Sequence, residues 1–354
     1  MPQIQLFDVF PYLHTAKHVV GFGNKSKSYF PVGGIDFFLR KLTAELGMTR
    51  NMALTFDSRG SAQSKTKIKG YKGNRTRQAD IVAQAEYLYD KLSRCGVACY
   101  KGEGEADDYI FNICNQYVAD ASEYAPIIIN STDYDLCHNI DEKGAVRFYS
   151  VNSLANNVSI VNYESVLRCG KTDERVIFNT VSASKVFCGD SSDNIKTFTA
   201  EDDTKGITLY REFIRDVISQ FLSKPGYVKR DPRLLQAFIE TRITSESDKR
   251  KLKARIDTIY PKVIKRPNGF ELSNNKNVDL QGIMDLCCVV GCGDGVRNLR
   301  KLGVYPRPDG QLQSMKDELY ELGKNFNNGV YQADNNLNVK SLNIFSEAIN
   351  VGDF

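Results

Sequence analysis

Four short apolar runs, each closed by carboxylates, constrain this chain more than any other feature: "IQLFD" (4–8), "NMALTFD" (51–57), "GVACYKG" (96–102) with the acid-rich "EADD" (105–108) just beyond, and "APIIINSTD" (125–133). Such runs, spaced by longer amphipathic stretches, predict strands alternating with helices: an α/β fold with a mostly parallel central sheet and helices on both faces. In open sheets of this kind ligands bind outside the carboxyl ends of the strands. Asp8, Asp57, Glu105, Asp107, Asp108, Asp133 and Asp135 therefore fall on one edge. Each has an ordinary explanation taken alone, because Asp ends strands and opens turns. Acids near a helix N-terminus also gain about 0.3–1 kcal/mol from the macrodipole. Crowded together they repel, and a hard dication with oxygen ligands turns that repulsion into attraction.

Between the second and third runs lies "SRGSAQSKTKIKGYKGNRTRQ", which carries Arg59, Lys65, Lys67, Lys69, Lys72, Arg75 and Arg77 and meets no acid until Asp80. A solvated loop is the usual fate of a charge run. This one leaves the sheet directly after Asp57, so it hangs beside the acidic edge and suits a polyanion threaded between the two. Tyr71 either stacks on a base or anchors the loop. Further on, "SASKVFCGDSSDNIKTF" sets Asp190 and Asp193 three apart, which predicts both carboxylates on one face of a helical turn, with Lys185 preceding them.

The stretch 160–200 reads as helical and 205–262 as amphipathic helices, while "GIMDLCCVVGCGDGVRNLRKLGV" reads as helix, glycine turn, helix. Its GxGxG has no βαβ context, which argues against a dinucleotide site. Arg297, Arg300 and Lys301 after that turn are either a basic edge on a packed helix or a second duplex contact. The Asn-rich end, 324–354, reads as a loosely held tail.

Composition narrows the partners. The chain's 354 residues allow two domains, or one large domain with an appendage. Forty-seven basic against forty-three acidic residues, a formal charge of +4, is too mild to announce a nucleic-acid partner by itself. Nine cysteines without a CxxC pair, and only three histidines, argue against zinc. With no secretory h-region and no apolar run near the ~18 residues of a membrane span, the expectation is an intracellular protein with reduced thiols and no membrane partner.

In order and spacing the motifs resemble the flap endonuclease family of PIN-like 5′ nucleases, particularly its phage ribonuclease H and 5′-3′ exonuclease branch. They are "FDVF" with Asp8, "TFD" with Asp57, "YKGNR" with Lys72 and Arg75, "GEADD", "STDYDL" and "KVFCGDSSDNI". The resemblance implies a PIN-like catalytic domain over 1–200 with a basic arch at about 59–80, and a mainly helical region over 201–354 that completes a helix-turn-helix-like DNA-binding part. It implies two Mg²⁺ or Mn²⁺ ions, one drawing on Asp57, Glu105, Asp107 and Asp133, the second on Asp133, Asp135, Asp190 and Asp193. Asp8 and Asp108 would complete the shell through water. Lys72 and Arg75 would grip the scissile phosphate, with Lys65, Lys67, Lys69, Tyr71 and Arg77 along the strand. Lys185 and the amides around Gly189 would touch duplex phosphates. The family's K⁺ site lies at the glycine-rich continuation of this last motif, where the present chain reads "FTAEDDTKGITLY" instead.

The implied activity is hydrolysis near 5′ ends, as exonuclease, flap endonuclease or RNase H-type enzyme, removing primers or flaps in DNA replication and repair. The implied partners are DNA or an RNA–DNA hybrid with a 5′ end or flap, and a single-strand-binding protein or sliding clamp. The implied setting is a monomer of phage origin, in the cytoplasm on replicating DNA. Two readings compete. A non-catalytic structure-specific DNA-binding replication protein would have no need of the full acid set. An aspartyl-nucleophile phosphatase needs a second acid two residues after the first, where this chain has Phe10.

Overall fold

All four predicted strands form, as β1 (Ile4–Asp8), β2 (Met52–Thr55), β3 (Ala98–Tyr100) and β4 (Ile127–Ser131). The computed structural model describes residues 3–21, 32–49, 51–58, 68, 70–73, 79–117, 126–140, 146–152, 157–161, 166–168, 175–177, 181–196, 203–221, 232–262, 264 and 277–327. Helices α1 (Val9–Gly21), α2 (Val32–Leu46), α3 (Ala79–Arg94) and α4 (Ala106–Tyr117) alternate with these strands. With β5 (Val146–Asn152) and β6 (Asn157–Val161) they make a six-stranded sheet ordered β3-β2-β1-β4-β5-β6. All neighbours are parallel except the β5–β6 pair. The α/β expectation is borne out.

Alternation along the strands sets the layers, since successive side chains leave a strand on opposite faces. Leu6 and Ala53 enter one core, while Phe7, Met52 and Leu54 enter the other. The first core takes α4 together with α5 (Val181–Cys188), α6 (Asp203–Phe221), α7 (Pro232–Arg242) and α8 (Glu246–Ile259). The second takes α1, α2 and α3 together with α9 (Leu280–Val290), α10 (Gly293–Lys301) and α11 (Asp309–Asn327). Helices beyond residue 200 thus cover both faces of the sheet. The Asp279 amide donates to Cys95 O at 2.8 Å and Lys91 pairs with Glu318, fastening the last helices to the α3 end.

One local expectation changes. The 160–200 stretch is not helical throughout: β6 is followed by β7 (Val166–Arg168) and β8 (Arg175–Ile177), an antiparallel pair, and among the described residues only α5 is a helix. The β-branched Val166, Val176 and Ile177 carry the strand signal that the surrounding charged residues obscure. The glycine turn after α9 does form, with Gly291 closing the helix at φ +80° in the left-handed region, while Gly295 lies against the sulfurs of Cys287 and Cys292. Among the described residues no helix is long and apolar enough to cross a membrane.

Candidate active site

The sheet order carries the site. β3, β2, β1 and β4 are adjacent and parallel, so their carboxyl ends share one edge. Asp8 is the last residue of β1, Asp57 and Asp133 stand two residues past β2 and β4, and Glu105 and Asp107 open α4 after β3. Neighbouring strands lie about 4.8 Å apart, which brings the acids within strong repulsion of one another. Hydrogen bonds fix them. Ala106 N donates to Asp57 Oδ1 at 2.8 Å, tying the α4 start to the β2 end. Ser131 Oγ donates to Asp8 Oδ2 at 3.0 Å and accepts from Asp133 N at 3.0 Å, and Asp133 Oδ1 caps Asp135 N at 2.9 Å. Ser131, inside the quoted "STD", is thus a positioning residue that the sequence reading passed over.

The charges divide into two groups with Asp133 acting on both. Burial, then repulsion from Asp107, Asp57 and Asp133, raises the Asp8 carboxyl well above its ordinary range. Burial and Asp133 push Asp135 up to about 7 against the opposing pull of Lys185. Asp190 goes the other way: burial works to raise it, but Lys185 and hydrogen bonds from Ser192 more than offset that.

Each group also holds an ammonium. Lys72 Nζ donates to Glu105 Oε1 at 2.6 Å, beside Asp57 and Asp107. Lys185 ion-pairs with Asp135, Asp190 and Asp193, the last at 3.4 Å. Burial would lower both lysines, but the surrounding acids raise both. Donor oxygens of Asp135, Asp190 and Asp193 all lie within 4.8 Å of one another. A hard-oxygen set already gathered round a cation is the chemistry that suits a divalent ion.

Three sequence expectations are corrected here. Asp108 does not face the acidic edge through water: its two carboxylate oxygens accept from Glu105 N at 3.0 Å and Lys262 N at 2.6 Å. It clasps the start of α4 to the segment after α8. Lys185 meets the acids where a duplex phosphate was expected, because α5 ends at Cys188 and the turn that follows brings Asp190 and Asp193 back beside its last residues. The amides around Gly189 are also taken, Gly189 N by Lys185 O at 2.9 Å and Asp190 N by Ile195 O at 2.8 Å. Finally, Asp190 and Asp193 sit in a tight turn closed by an antiparallel Asp190–Ile195 bridge, not on a helix.

That turn is joined to the basic segment. Lys72 N donates to Asp193 O at 2.9 Å, and Asn194 Nδ2 to Gly70 O at 2.7 Å. Lys72 and Asn194 both have positive φ, of 50° and 56°, an uncommon conformation for residues other than glycine and a mark of local constraint. Tyr71 stacks near the Lys72 ammonium, 5.2 Å from ring centre to Nζ, and lines a small cavity with Asp107, Asp135, Lys185 and Asp193. Lys65, Lys67, Lys69, Arg75 and Arg77 lie outside the described residues.

The junction between α5 and the acid turn depends on one glycine. Gly189 has φ +75°, and a Cβ there would come within 2.6 Å of the Ile195 and Lys196 carbonyl oxygens. Gly189→Ala is therefore expected to destabilise the chain by roughly 2 kcal/mol or more, from left-handed strain plus backbone displacement. A urea melt checks this; an unchanged midpoint would show that the turn relaxes without cost.

Residues 3–168 match the family described as 5′-3′ exonuclease, N-terminal resolvase-like domain. No curated protein matches the chain in sequence. Among solved structures, the chain is similar to a bacteriophage T5 flap endonuclease in complex with DNA and metal ions, at 17% identity and TM-score 0.44 over 91% of this chain and 99% of that one. It is also similar to the catalytic core of Rad2 in complex with a DNA substrate, at 12% identity and TM-score 0.43 over 84% of this chain and 89% of that one.

Proposed function

Because residues 3–168 match the family described as 5′-3′ exonuclease, N-terminal resolvase-like domain, we propose that the chain is a metal-dependent hydrolase that cuts phosphodiester bonds near 5′ ends of DNA or RNA–DNA hybrids, as an exonuclease or flap endonuclease. The observation that carries this is the convergence of Asp8, Asp57, Glu105, Asp107 and Asp133 at one sheet edge with Asp135, Asp190 and Asp193, Asp133 acting on both groups. Glu105, Asp57, Asp107 and Asp133 would hold one Mg²⁺ or Mn²⁺, and Asp133, Asp135, Asp190 and Asp193 the other. Bound there, two divalent ions would supply an activated water and charge stabilisation at the leaving oxygen.

The chain's own residues do the rest. Asp8, held by Ser131, adds negative charge behind the first group. Lys72, fixed on the 70–73 turn by Asp193 O, offers an ammonium to the non-bridging phosphate oxygens, with Arg75 beside it in sequence. Tyr71 presents a ring beside the acids on which a terminal base would stack. No histidine base is required, which suits a chain whose described His138 bonds Ser182 instead. The segment at 59–80 would grip single strand, residues 1–200 forming the nuclease part and 201–354 the mainly helical remainder.

The test is cleavage of a 5′-labelled flap in Mg²⁺, with EDTA as control and a small phosphate ester alongside. The proposal expects short 5′ fragments in Mg²⁺ alone and no turnover of the ester. Ester turnover without flap cleavage would favour the phosphatase reading, and flap binding without cleavage the non-catalytic one.

The basic segment has its own expected result. Removing the charges of Lys65, Lys67 and Lys69 together should weaken single-strand affinity and flatten its salt dependence by roughly 0.7 per lost phosphate contact, about 2 in the log–log slope. A fluorescence anisotropy titration across salt checks it. An unchanged slope would remove this segment from the strand path.

A further inference from the structure

We propose that Lys185 is a resident counter-cation: its ammonium holds the space among Asp135, Asp190 and Asp193 that a divalent ion takes on loading, so metal entry and Lys185 departure are one exchange. The inference rests on the metal-dependent reading above and concerns how that centre is kept assembled before it is loaded.

Three carboxylates whose donor atoms lie within 4.8 Å of one another would repel strongly if left to themselves. Lys185 Nζ ion-pairs with all three, and its side chain is only 12% exposed, so this is a built contact and not a surface pair. The backbone beneath it is fixed. Lys185 lies in the last turn of α5, its carbonyl accepts from Gly189 N, and the next carbonyl, Val186 O, accepts from Arg255 Nη1 of α8 at 2.9 Å. Only the four-carbon side chain is left to move.

Size and charge then force a choice. Mg²⁺ needs carboxylate oxygens at about 2.0–2.1 Å in near-octahedral order, whereas an ammonium takes the same oxygens at about 2.7–2.9 Å. The two cations cannot share one set of oxygens without lying nearly in contact, where three unit charges of one sign face each other. Lys72 makes the corresponding contact in the first group through one carboxylate, Glu105. The trio about Lys185 is the stronger grip, so that is where the exchange weighs most on affinity.

Competition of this kind lowers apparent metal affinity by the fraction of molecules in which the lysine has withdrawn. It also means that the lysine, and not only the metal, stabilises the unloaded fold. The measurement is isothermal titration with Mg²⁺ of the wild type, Lys185→Met and Asp190→Asn, with thermal melts of each in EDTA and in Mg²⁺. Lys185→Met keeps length and removes charge. It should bind Mg²⁺ at least about tenfold more tightly, melt lower than wild type in EDTA, and gain more on Mg²⁺ addition. Should that variant fold poorly without metal, purification in Mg²⁺ followed by equilibrium dialysis against a descending Mg²⁺ series still gives the affinity. Equal or weaker Mg²⁺ binding by Lys185→Met, where wild type binds and Asp190→Asn does not, would overturn the exchange while leaving the metal-dependent reading intact. No Mg²⁺ uptake by the wild type would overturn both.

Discussion

Asp133→Asn is expected to cut Mg²⁺-dependent cleavage by on the order of 10³-fold while leaving the fold intact, the largest loss of any single carboxylate substitution here. The charge of Asp133 acts on both Asp8 and Asp135, so its removal touches both groups at once. Asn keeps an Oδ1 acceptor for Asp135 N and leaves the Ser131 contact to the residue's own amide unchanged, so the turn after β4 should survive. Single-turnover cleavage and circular dichroism read the two halves of this expectation. Near-normal turnover in a folded variant would place the catalytic charge elsewhere.

In EDTA, stability is expected to fall as pH rises from about 4 to about 8, and Mg²⁺ should reverse that slope. Asp8 and Asp135 are raised in the folded chain, Asp135 to about 7, whereas an unfolded Asp titrates near ~3.9. Between those values the native state holds more protons than the unfolded chain. The contribution is therefore complete below the unfolded pKa and lost as pH climbs through the folded ones. Asp36 and Glu45, raised by burial, act in the same direction. Asp190, which is lowered, acts oppositely, and its contribution disappears only as pH drops below its ordinary range. A divalent ion binds the ionised carboxylates, so its stabilisation grows over the very window in which the metal-free chain weakens. Asp8→Asn removes one of the groups that holds its proton in the folded chain, so in EDTA its melting temperature should fall less between pH 4 and pH 8 than that of wild type. A flat pH profile for both proteins would mean that the acids are relieved by solvent rather than by protons or metal.

Much of the fold was legible because its signals are local. β1, β2, β3 and β4 are short apolar runs, and the edge they share follows from parallel pairing, so the positions of Asp8, Asp57, Glu105, Asp107, Asp133 and Asp135 are legible in the sequence. Asp190 and Asp193 came from their three-residue spacing and from motif order. What escaped was set by tertiary contact. No spacing rule says that Asp108 turns from its neighbour Asp107 to take the Lys262 amide 154 residues away. The same holds for Lys185, whose place in the "KVFCGDSSDNI" motif implied a duplex phosphate while three acids lay closer. Asn194 reads as an ordinary turn residue until its side chain is seen to hold Gly70 O across 124 residues. The β7–β8 pair was missed for a different reason, since three-residue strands give too few alternations to register as a period.

The central claim, that these acids form one divalent-metal centre shared through Asp133, is tested most directly by counting bound Mn²⁺ on the wild type and on Asp133→Asn by electron paramagnetic resonance. The account predicts two ions on the wild type, close enough to couple magnetically, and loss of the coupled pair in the variant. A coupled pair that persists in Asp133→Asn, or a wild type that binds no Mn²⁺, would contradict it.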